Sequence, residues 1–329
     1  MAVVERLGHH TRLELPSGRK ATLHIGDEII VAYADRYAPD QYEANVPINL
    51  GITQLVASGG VASHVLSRHE SLRLATRIRP VGLIADERGM ALNLRDFALA
   101  PSPVAHTRPR TIAVVGTSMN SGKTTTNRYL VNGLNRGGHR PGATKVTGTG
   151  SGGDYWIIKD AGAHMMLDFT DVGFASTYRM PMFAIERAYI ELLDHLTYAN
   201  CGVLLVEVAD GIYQKETAKL IDSAPFRESV DGVIFAAGDA MGAAHGVETL
   251  QRMGLPVIAV AGRLTASPLA LREARQACAV PVLTSYQLRD PEEAAQIVGL
   301  SRKVDASDDE DRGRPALSIV DSVLASTGS

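Results

Sequence analysis

Several signals of common protein classes are missing from this 329-residue sequence. It contains no run of about 18 apolar residues that could span a bilayer, and its first segment, MAVVERLGHHTRLEL, carries charges where a signal peptide needs an apolar stretch. The formal net charge is −3, which gives no basic surface for a phosphate backbone. We therefore expect a cytoplasmic protein whose partner is a small molecule, without nucleic acid or membrane binding.

Cysteines and common reactive motifs are also scarce. Cys201 and Cys278 are the two cysteines, and each has apolar neighbours, so we expect buried reduced thiols and no disulfide framework. The adjacent His9 and His10 do not have the spacing of helical metal ligands. The G-x-S-x-G sequence of a nucleophile elbow is absent. These absences argue against a disulfide scaffold, a structural zinc site and a serine hydrolase of that type.

The sequence changes character at a linker that contains three prolines, APSPVAHTRPRT at 100–111. A segment with prolines and no hydrophobic period is typical of a domain boundary. Before it, short period-two runs predict a small β-rich domain over residues 1–105, with a barrel as one form it could take. These runs are TRLEL (11–15), KATLHI (20–25), DEIIVAYA (27–34) and RPVGLIADERGMALNL (79–94).

After the linker, continuous apolar strands alternate with helical segments. Strands buried on both faces have this pattern, so residues 106–300 are expected to form an α/β domain with a doubly wound, mostly parallel sheet. The expected strands are TIAVVG (111–116), GATKV (142–146), CGVLLVEV (201–208), DGVIFAA (231–237), LPVIAVAG (255–262) and VPVLTS (280–285), and the clearest helices are 181–200 and 267–279. Residues 301–329 begin with a charged run and are expected to form a flexible tail.

The first strand of this domain leads into a phosphate-binding loop, GTSMNSGKTT. In such a loop the backbone N–H groups hold the phosphates, the lysine reaches the β- and γ-phosphates, and the hydroxyl after it binds Mg²⁺. Lys123 and Thr124 occupy those two positions, and a helix is expected from about Lys123 to Arg136, with its N-terminus at the anion. The predicted nucleotide-binding residues are Gly116, Thr117, Ser118, Met119, Asn120, Ser121, Gly122, Lys123, Thr124 and Thr125.

The loop has one residue more than usual between its two glycines, so Thr117 stands where the first glycine is common. This G-T-x-x-x-x-G-K-T spacing resembles the loop of dethiobiotin synthetase and related ATP-dependent amide-forming enzymes. The resemblance implies a P-loop NTPase fold, ATP and Mg²⁺ as cofactors, and phosphoryl transfer to a carboxylate or carbamate. Dimeric switch ATPases of the same broad class carry a lysine after the first glycine, and Thr117 departs from that pattern.

Two further segments are similar to that family. GATKVTGTGSGGD places Lys145 on its lysine segment, and CGVLLVEVADG places Glu207 on its metal-binding glutamate. The resemblance also implies a downstream aspartate as metal ligand, for which Asp154 is the first candidate and Asp160 the second. At strand ends beside the loop, a lysine can balance the charge of a transferred phosphoryl group, and a carboxylate can hold Mg²⁺ opposite Thr124.

Further acids and one arginine are weaker candidates. Asp210 could belong to the site or could be an ordinary helix cap, and the sequence favours neither role. Asp168 and Asp171 are weaker metal candidates than Asp154. Arg179 is expected to be an exposed arginine, although it could contact an anion.

These observations predict a Mg-ATP-dependent ligase or kinase in which Lys123, Lys145 and Glu207 are catalytic. The segments after the later strands contain no N-K-x-D sequence for guanine, which favours ATP over GTP. The alternatives are a nucleotide-dependent switch or metallochaperone ATPase and a P-loop N-acetyltransferase that uses acetyl-CoA. A homodimer is expected, and the β-rich domain would serve oligomerisation or act as a lid.

Overall fold

The structure, a computed structural model, describes residues 1–103 and 107–300. The expected tail, 301–329, lies outside these residues, and so does the expected boundary between 105 and 106. The described chain forms an antiparallel β-rich domain followed by an α/β domain that begins with a strand at Thr111.

The N-terminal domain contains ten short strands. Eight belong to one sheet in the order β4-β1-β10-β8-β9-β7-β6, with β5 beside β9, while β2 and β3 form a separate hairpin. All pairs are antiparallel except β5 with β9. Val4, Leu55 and Ile78 are fully buried in its core. The strands are β1 Ala2–Arg6, β2 Arg12–Glu14, β3 Lys20–Thr22, β4 Glu28–Ile29, β5 Ala32–Tyr33, β6 Arg36–Tyr37, β7 Tyr42–Asn45, β8 Thr53–Ala57, β9 Val61–Arg68 and β10 Thr76–Pro80.

The strand expected over 79–94 is mostly wrong. Strand β10 ends at Pro80, and the residues after it make one isolated bridge, between Ala85 and Ala91, before a short 3-10 helix at Leu94–Phe97. The alternating apolar side chains of this segment are largely exposed, as Leu83 and Met90 illustrate. Alternation predicts a strand only where a sheet or core covers its apolar face, and the described residues do not cover this one.

The α/β domain has the expected doubly wound form. Its six strands are parallel, in the order β13-β12-β14-β11-β15-β16, with helices between them. The strands are β11 Thr111–Gly116, β12 Pro141–Lys145, β13 Met165–Asp168, β14 Val203–Glu207, β15 Gly232–Ala236 and β16 Val257–Ala261. The helices are α1 Lys123–Arg136, α2 Gly152–Asp160, α3 Met182–Tyr198, α4 Lys215–Asp222, α5 Ala224–Ser229, α6 Ala240–Arg252, α7 Pro268–Ala277, α8 Ser285–Arg289 and α9 Pro291–Ile297, with a 3-10 helix at Arg263–Ala266.

Both faces of the parallel sheet are buried, which explains the continuous apolar strands. Val115 and Leu204 point to one core, which contains Leu192 of α3, while Ile112 points to a second core on the opposite face with Leu130 of α1. The central strand β11 is buried along its whole length, between β14 and β15. The phosphate loop therefore leaves the sheet from its most constrained strand.

Two parts of this domain differ from expectation. Residues 280–285 do not form the expected strand. Val282 makes a single bridge to Val260, and Thr284 caps helix α8 through a capping box. Strand β13, Met165–Asp168, was missed, because its four residues lie at the sheet edge and give only a short apolar run. Cys201 is buried as expected, whereas Cys278 is only partly buried, and both are free thiols.

Candidate functional site

The phosphate loop is closed by two glycines that have no room for a side chain. A Cβ on Gly116 would lie 2.5 Å from Ser121 Oγ and 2.7 Å from the carbonyl oxygen of Ala236. Gly122 caps helix α1 with φ +103°, and a Cβ there would lie 2.8 Å from the Arg263 nitrogen. Gly116 is the last residue of β11 and Gly122 the N-cap of α1, so the loop between them is bounded by two positions that exclude a side chain.

The loop lysine is held inside its own loop. Lys123 is the first residue of α1 and is buried, and its Nζ donates to the carbonyl oxygen of Ser118 at 2.8 Å. Burial lowers the pKa of Lys123, while the nearby carboxylates of Glu207 and Asp210 oppose this shift. The ammonium group therefore lies where the backbone of a phosphate loop surrounds an anion.

Thr124 and Glu207 meet at the end of the central strands. The Thr124 hydroxyl donates to Glu207 Oε1 at 3.0 Å. Glu207 ends strand β14, whose register pairs it with Val114 of β11, one strand away from the loop. Burial raises the pKa of the Glu207 carboxyl, and the ammonium of Lys145 works against that rise. A hydroxyl and a buried carboxylate in contact are the oxygen ligands that Mg²⁺ uses beside a nucleotide.

Lys145 connects two acids at the same edge of the sheet. It ends β12 in register with Glu207, and its Nζ contacts Asp154 of α2 and lies 3.8 Å from Glu207 Oε1. Burial disfavours the charged ammonium, but the carboxylates of Glu207 and Asp154 outweigh this effect and raise the pKa of Lys145. The structure thus brings together Lys145, Asp154 and Glu207 with the loop residues.

Three other candidate acids make no hydrogen bond or ion pair with Lys145 or Glu207 among the described residues, although Asp168 ends β13 in register with Lys145. Asp160 is exposed at the end of α2, six residues or about 9 Å along the helix from Asp154, and so does not join the cluster. The Asp168 carboxylate accepts the Thr170 N–H at 2.8 Å, and Asp171 accepts the Asp168 N–H at 2.7 Å. Burial raises the pKa of both carboxyl groups. These two aspartates build the turn after β13.

The proposed metal ligands fit Mg²⁺ better than a metal with a full protein cage. Residues 1–103 and 107–300 contain no group of three or more His, Cys, Asp or Glu side chains arranged around a metal. Mg²⁺ bound with a nucleotide needs only one or two protein oxygens, because water and phosphate supply the rest. Thr124 and Glu207 could hold such an ion, with Asp154 near them through Lys145.

The N-terminal domain packs directly against the phosphate loop, a feature that the sequence did not reveal. Asp40, in the turn between β6 and β7, accepts a hydrogen bond from the Asn120 side chain, and Asn120 has φ +61° in the loop. Tyr37 packs against Tyr178 with ring centroids 5.4 Å apart. Arg179 is half exposed, and its Nε lies 4.0 Å from Asp35. Such contacts join residues far apart in sequence, so no local pattern could have indicated them.

A large cavity also lies along the domain interface, away from the loop lysine and the strand-end glutamate. It has a volume of about 1360 Å³ and includes Trp156 and Asp168, but neither Lys123 nor Glu207 lines it. Size favours this groove, whereas the buried charged groups favour the loop. We assign the chemistry to the loop, since buried ionisable groups with specific partners mark functional sites better than volume does.

Several solved structures are distantly similar to this chain. No protein-family model matches the chain, and a search of curated proteins finds no match either. One similar structure is a signal recognition particle 54 kDa protein from Aeropyrum pernix with GDP, at 20% identity and a TM-score of 0.38 over 59% of this chain and 47% of that one. Another is the receptor FtsY from Elizabethkingia anophelis, at 14% identity and 0.35 over 51% and 54%.

A nucleotide-binding protein from Archaeoglobus fulgidus with ADP matches at 10% identity and a TM-score of 0.38, over 56% of this chain and 87% of that one. The chain therefore spans about half the length of the first two proteins and most of the third. Structural matches with TM-scores this low carry no argument about activity. The P-loop NTPase class rests on the chain's own features: the central parallel strand, the glycine-bounded loop, and Lys123 and Thr124 at the start of α1.

No helix within the described ranges combines the length and the apolar character needed to cross a membrane.

Proposed function

We propose that the protein is a Mg-ATP-dependent ligase or kinase that transfers the γ-phosphoryl group to a small acceptor, a carboxylate or carbamate. In this reaction an acceptor oxygen bonds to the γ-phosphorus, the bond from that phosphorus to the β–γ bridging oxygen breaks, and ADP leaves. The observation that carries the proposal is the contact between Thr124 and Glu207, at 3.0 Å, beside the buried Lys123 and the partly buried Lys145. This is the donor set that phosphoryl transfer requires.

Each residue has a specific part in this scheme. Backbone N–H groups of the loop after Thr117, whose own N–H donates to the carbonyl oxygen of Ala236, bind the phosphates together with the Lys123 ammonium. Binding replaces the Lys123 contact with Ser118. Thr124 and Glu207 would hold Mg²⁺, which neutralises charge on the phosphates. Lys145 lies within 3.8 Å of Glu207 and can balance charge on the transferred group or orient the acceptor. Asp154 keeps the Lys145 ammonium in position.

A ligase and a kinase share these parts. In a ligase the acyl phosphate is attacked by an amine, and the phosphate leaves, whereas a kinase releases the phosphorylated product. ATP is proposed over GTP because the sequence lacks N-K-x-D. The homodimer likewise stays a prediction.

Lys123→Ala provides the direct test. We expect the variant to lose ATP binding, measured by calorimetry, because the loop lysine is a main charge partner of the phosphates. We also expect ADP release to fall by about 100-fold or more. ADP release is measured with Mg²⁺ and pools of amino acids, diamines and carboxylic acids. The variant's melting temperature should stay close to that of the wild type, because the hydrogen bond that Lys123 Nζ makes within the described residues is to a loop carbonyl oxygen. Lys219→Ala, at an exposed position of α4, is the matched control.

Three results would replace the proposal. Normal turnover by Lys123→Ala would show that the loop is not the site of the chemistry. Binding of acetyl-CoA in place of ATP, with acetyl transfer to an amine, would favour an N-acetyltransferase. Slow ATP hydrolysis stimulated by a protein partner, and by none of the small-molecule pools, would favour the switch or metallochaperone ATPase.

A further inference from the structure

A second set of polar residues lies where the two domains meet, next to the phosphate loop. It comprises Asp210, three residues after Glu207, and the tyrosines Tyr37 and Tyr178, which belong to different domains. The Tyr178 hydroxyl contacts Glu43 Oε1 at 3.4 Å. The proposed mechanism uses none of these side chains.

Asp210 is a buried acid without a bonding partner. Only 9% of its surface is exposed, and its carboxylate makes no hydrogen bond or ion pair with the described residues. The hydroxyls of Thr147 and Thr217 both donate to the carbonyl oxygen of Ala209, so they hold the backbone before Asp210 and leave its carboxylate unbonded. A buried unpaired carboxylate is costly, and in native proteins such a group needs an explanation.

The cations around Asp210 already have other partners. Arg36 donates to the carbonyl oxygen of Val56 and to the Gln41 side chain. Lys123 donates to Ser118, and Lys145 contacts Asp154. These cations act on Asp210 through space, while Asp40 opposes them. None of these three cations contacts the carboxylate directly, so its oxygens are left for a cationic ligand.

The space beside Asp210 suits a small cationic group. Asp210 lines a cavity with Tyr37, Tyr178 and Thr147, whose free volume of about 10 Å³ is enough for one water molecule or one ammonium group. Burial is the main cause that raises the pKa values of both tyrosines, and the carboxylates of Glu43 and Glu216 add to it, together with Asp210 in the case of Tyr37. The cavity thus combines negative potential with two aromatic rings, the surroundings that bind ammonium ions.

We propose that Asp210, with Tyr37 and Tyr178, binds the ammonium group of the acceptor substrate. The acceptor is then a small zwitterion of the amino-acid type, whose ammonium group occupies the cavity and whose carboxylate extends towards Lys123 and Lys145. Because this inference identifies the acceptor of the proposed reaction, it rests on the proposed function. It also gives the N-terminal domain a binding role, because Tyr37 belongs to that domain.

Ligand-observed NMR titrations test the subsite with methylammonium and β-alanine as probes, and with acetate as the anionic control. Each titration is run with and without the nonhydrolysable ATP analogue AMP-PNP and Mg²⁺. We expect the two ammonium probes to bind the wild type, and Asp210→Asn to weaken both by about 10- to 100-fold, the loss expected when a charged hydrogen-bond partner is removed. Glu248→Gln, an exposed acid in α6, should bind like the wild type.

Equal affinity of methylammonium for Asp210→Asn and the wild type would overturn the inference, and so would binding of acetate in preference to methylammonium. Tyr178→Ala gives a second measurement, with an expected loss of several-fold from removal of one ring. Melting temperatures confirm that the variants are folded. If the nucleotide fails to bind but methylammonium still binds through Asp210, the proposed function fails and the ammonium subsite stands. If the nucleotide binds and methylammonium does not, the ammonium subsite fails and the proposed function stands.

Discussion

At the residue scale, Asp210 illustrates how a binding group can lower stability. Burial raises the pKa of its carboxyl, and the more distant Lys123, Lys145 and Arg36 only partly offset this effect. The fold therefore keeps an acid whose charge is unfavourable until a ligand neutralises it. Functional sites commonly carry such costs, which substitution can relieve.

This cost leads to a prediction for the protein without ligand. Asp210→Asn should raise the free energy of unfolding at pH 7.5 by about 1–3 kcal/mol, the usual cost of an unsatisfied buried group. Because the folded pKa of Asp210 lies above its ordinary value of 3.8, the folded state holds the proton more tightly than the unfolded state, and wild-type stability falls as the pH rises from that ordinary value through the folded pKa. The advantage of Asp210→Asn should therefore be small at pH 4 and grow towards pH 7.5.

Urea unfolding at the two pH values measures this difference, with Glu248→Gln as the control. The neighbouring Lys123, Lys145, Arg36 and Asp40 are present in both proteins, so the comparison isolates the carboxyl of Asp210. If Asp210→Asn is less stable than the wild type at pH 7.5 without ligand, the Asp210 charge is favourable and the argument is wrong.

At the scale of elements, helix α2 depends on the other domain for its N-terminal cap. Ser151 is the N-cap but makes no side-chain capping bond, and the Gly152 N–H donates instead to Glu14 Oε2 at 2.6 Å. Glu14 belongs to β2, and the Nζ of Lys20 lies 3.4 Å from Glu14 Oε1. Because α2 carries Asp154, the contact with Glu14 connects the β-rich domain to the position of Lys145.

Glu14→Ala should loosen the first turn of α2. A lost cap costs about 1 kcal/mol, which corresponds to about fivefold faster amide hydrogen exchange where local opening governs exchange. Exchange of α6, which has its own Asp239 cap, should not change. Glu28→Ala, at an exposed position of β4, provides the control. Unchanged exchange in α2 of the Glu14 variant would show that the interdomain cap contributes nothing to the order of the helix.

At the scale of the whole molecule, the two domains meet closely enough that some positions exclude side chains. A Cβ on Gly59, between β8 and β9, would lie 2.1 Å from the carbonyl oxygen of Gly150. Trp156, the only tryptophan, packs at Gly18, where a Cβ would lie 2.4 Å from Nε1. The interface therefore relies on close approach of backbone as well as on hydrogen bonds.

Gly59→Ala should separate the domains locally. We expect a loss of about 1–3 kcal/mol in the free energy of unfolding, as overpacking usually causes, together with altered Trp156 fluorescence in the folded state. Gly82→Ala is the matched control, since a Cβ there meets nothing within 4 Å. Wild-type stability and fluorescence in the Gly59 variant would mean that the domains are not held in close contact at this point.

The sequence by itself determined the local features of the site. Apolar strands predicted the parallel sheet, and the spacing of glycine, lysine and threonine predicted the loop and the start of α1 at Lys123. Lys145 and Glu207 were identified by the resemblance of their segments to those of dethiobiotin synthetase, and their position at strand ends agrees with this because strand ends of a parallel sheet meet at one edge. Such features depend on neighbours in sequence, which a pattern records directly.

Only the tertiary structure decided which distant residues meet. The choice of Asp154 over Asp160 depended on which end of α2 faces Lys145. The contact of Asp40 with Asn120 and the cavity at Asp210 arise where two domains pack, and no period or spacing encodes that packing. The prediction of a strand over 79–94 failed for the same reason, because an alternating pattern becomes a strand only when another surface covers its apolar side.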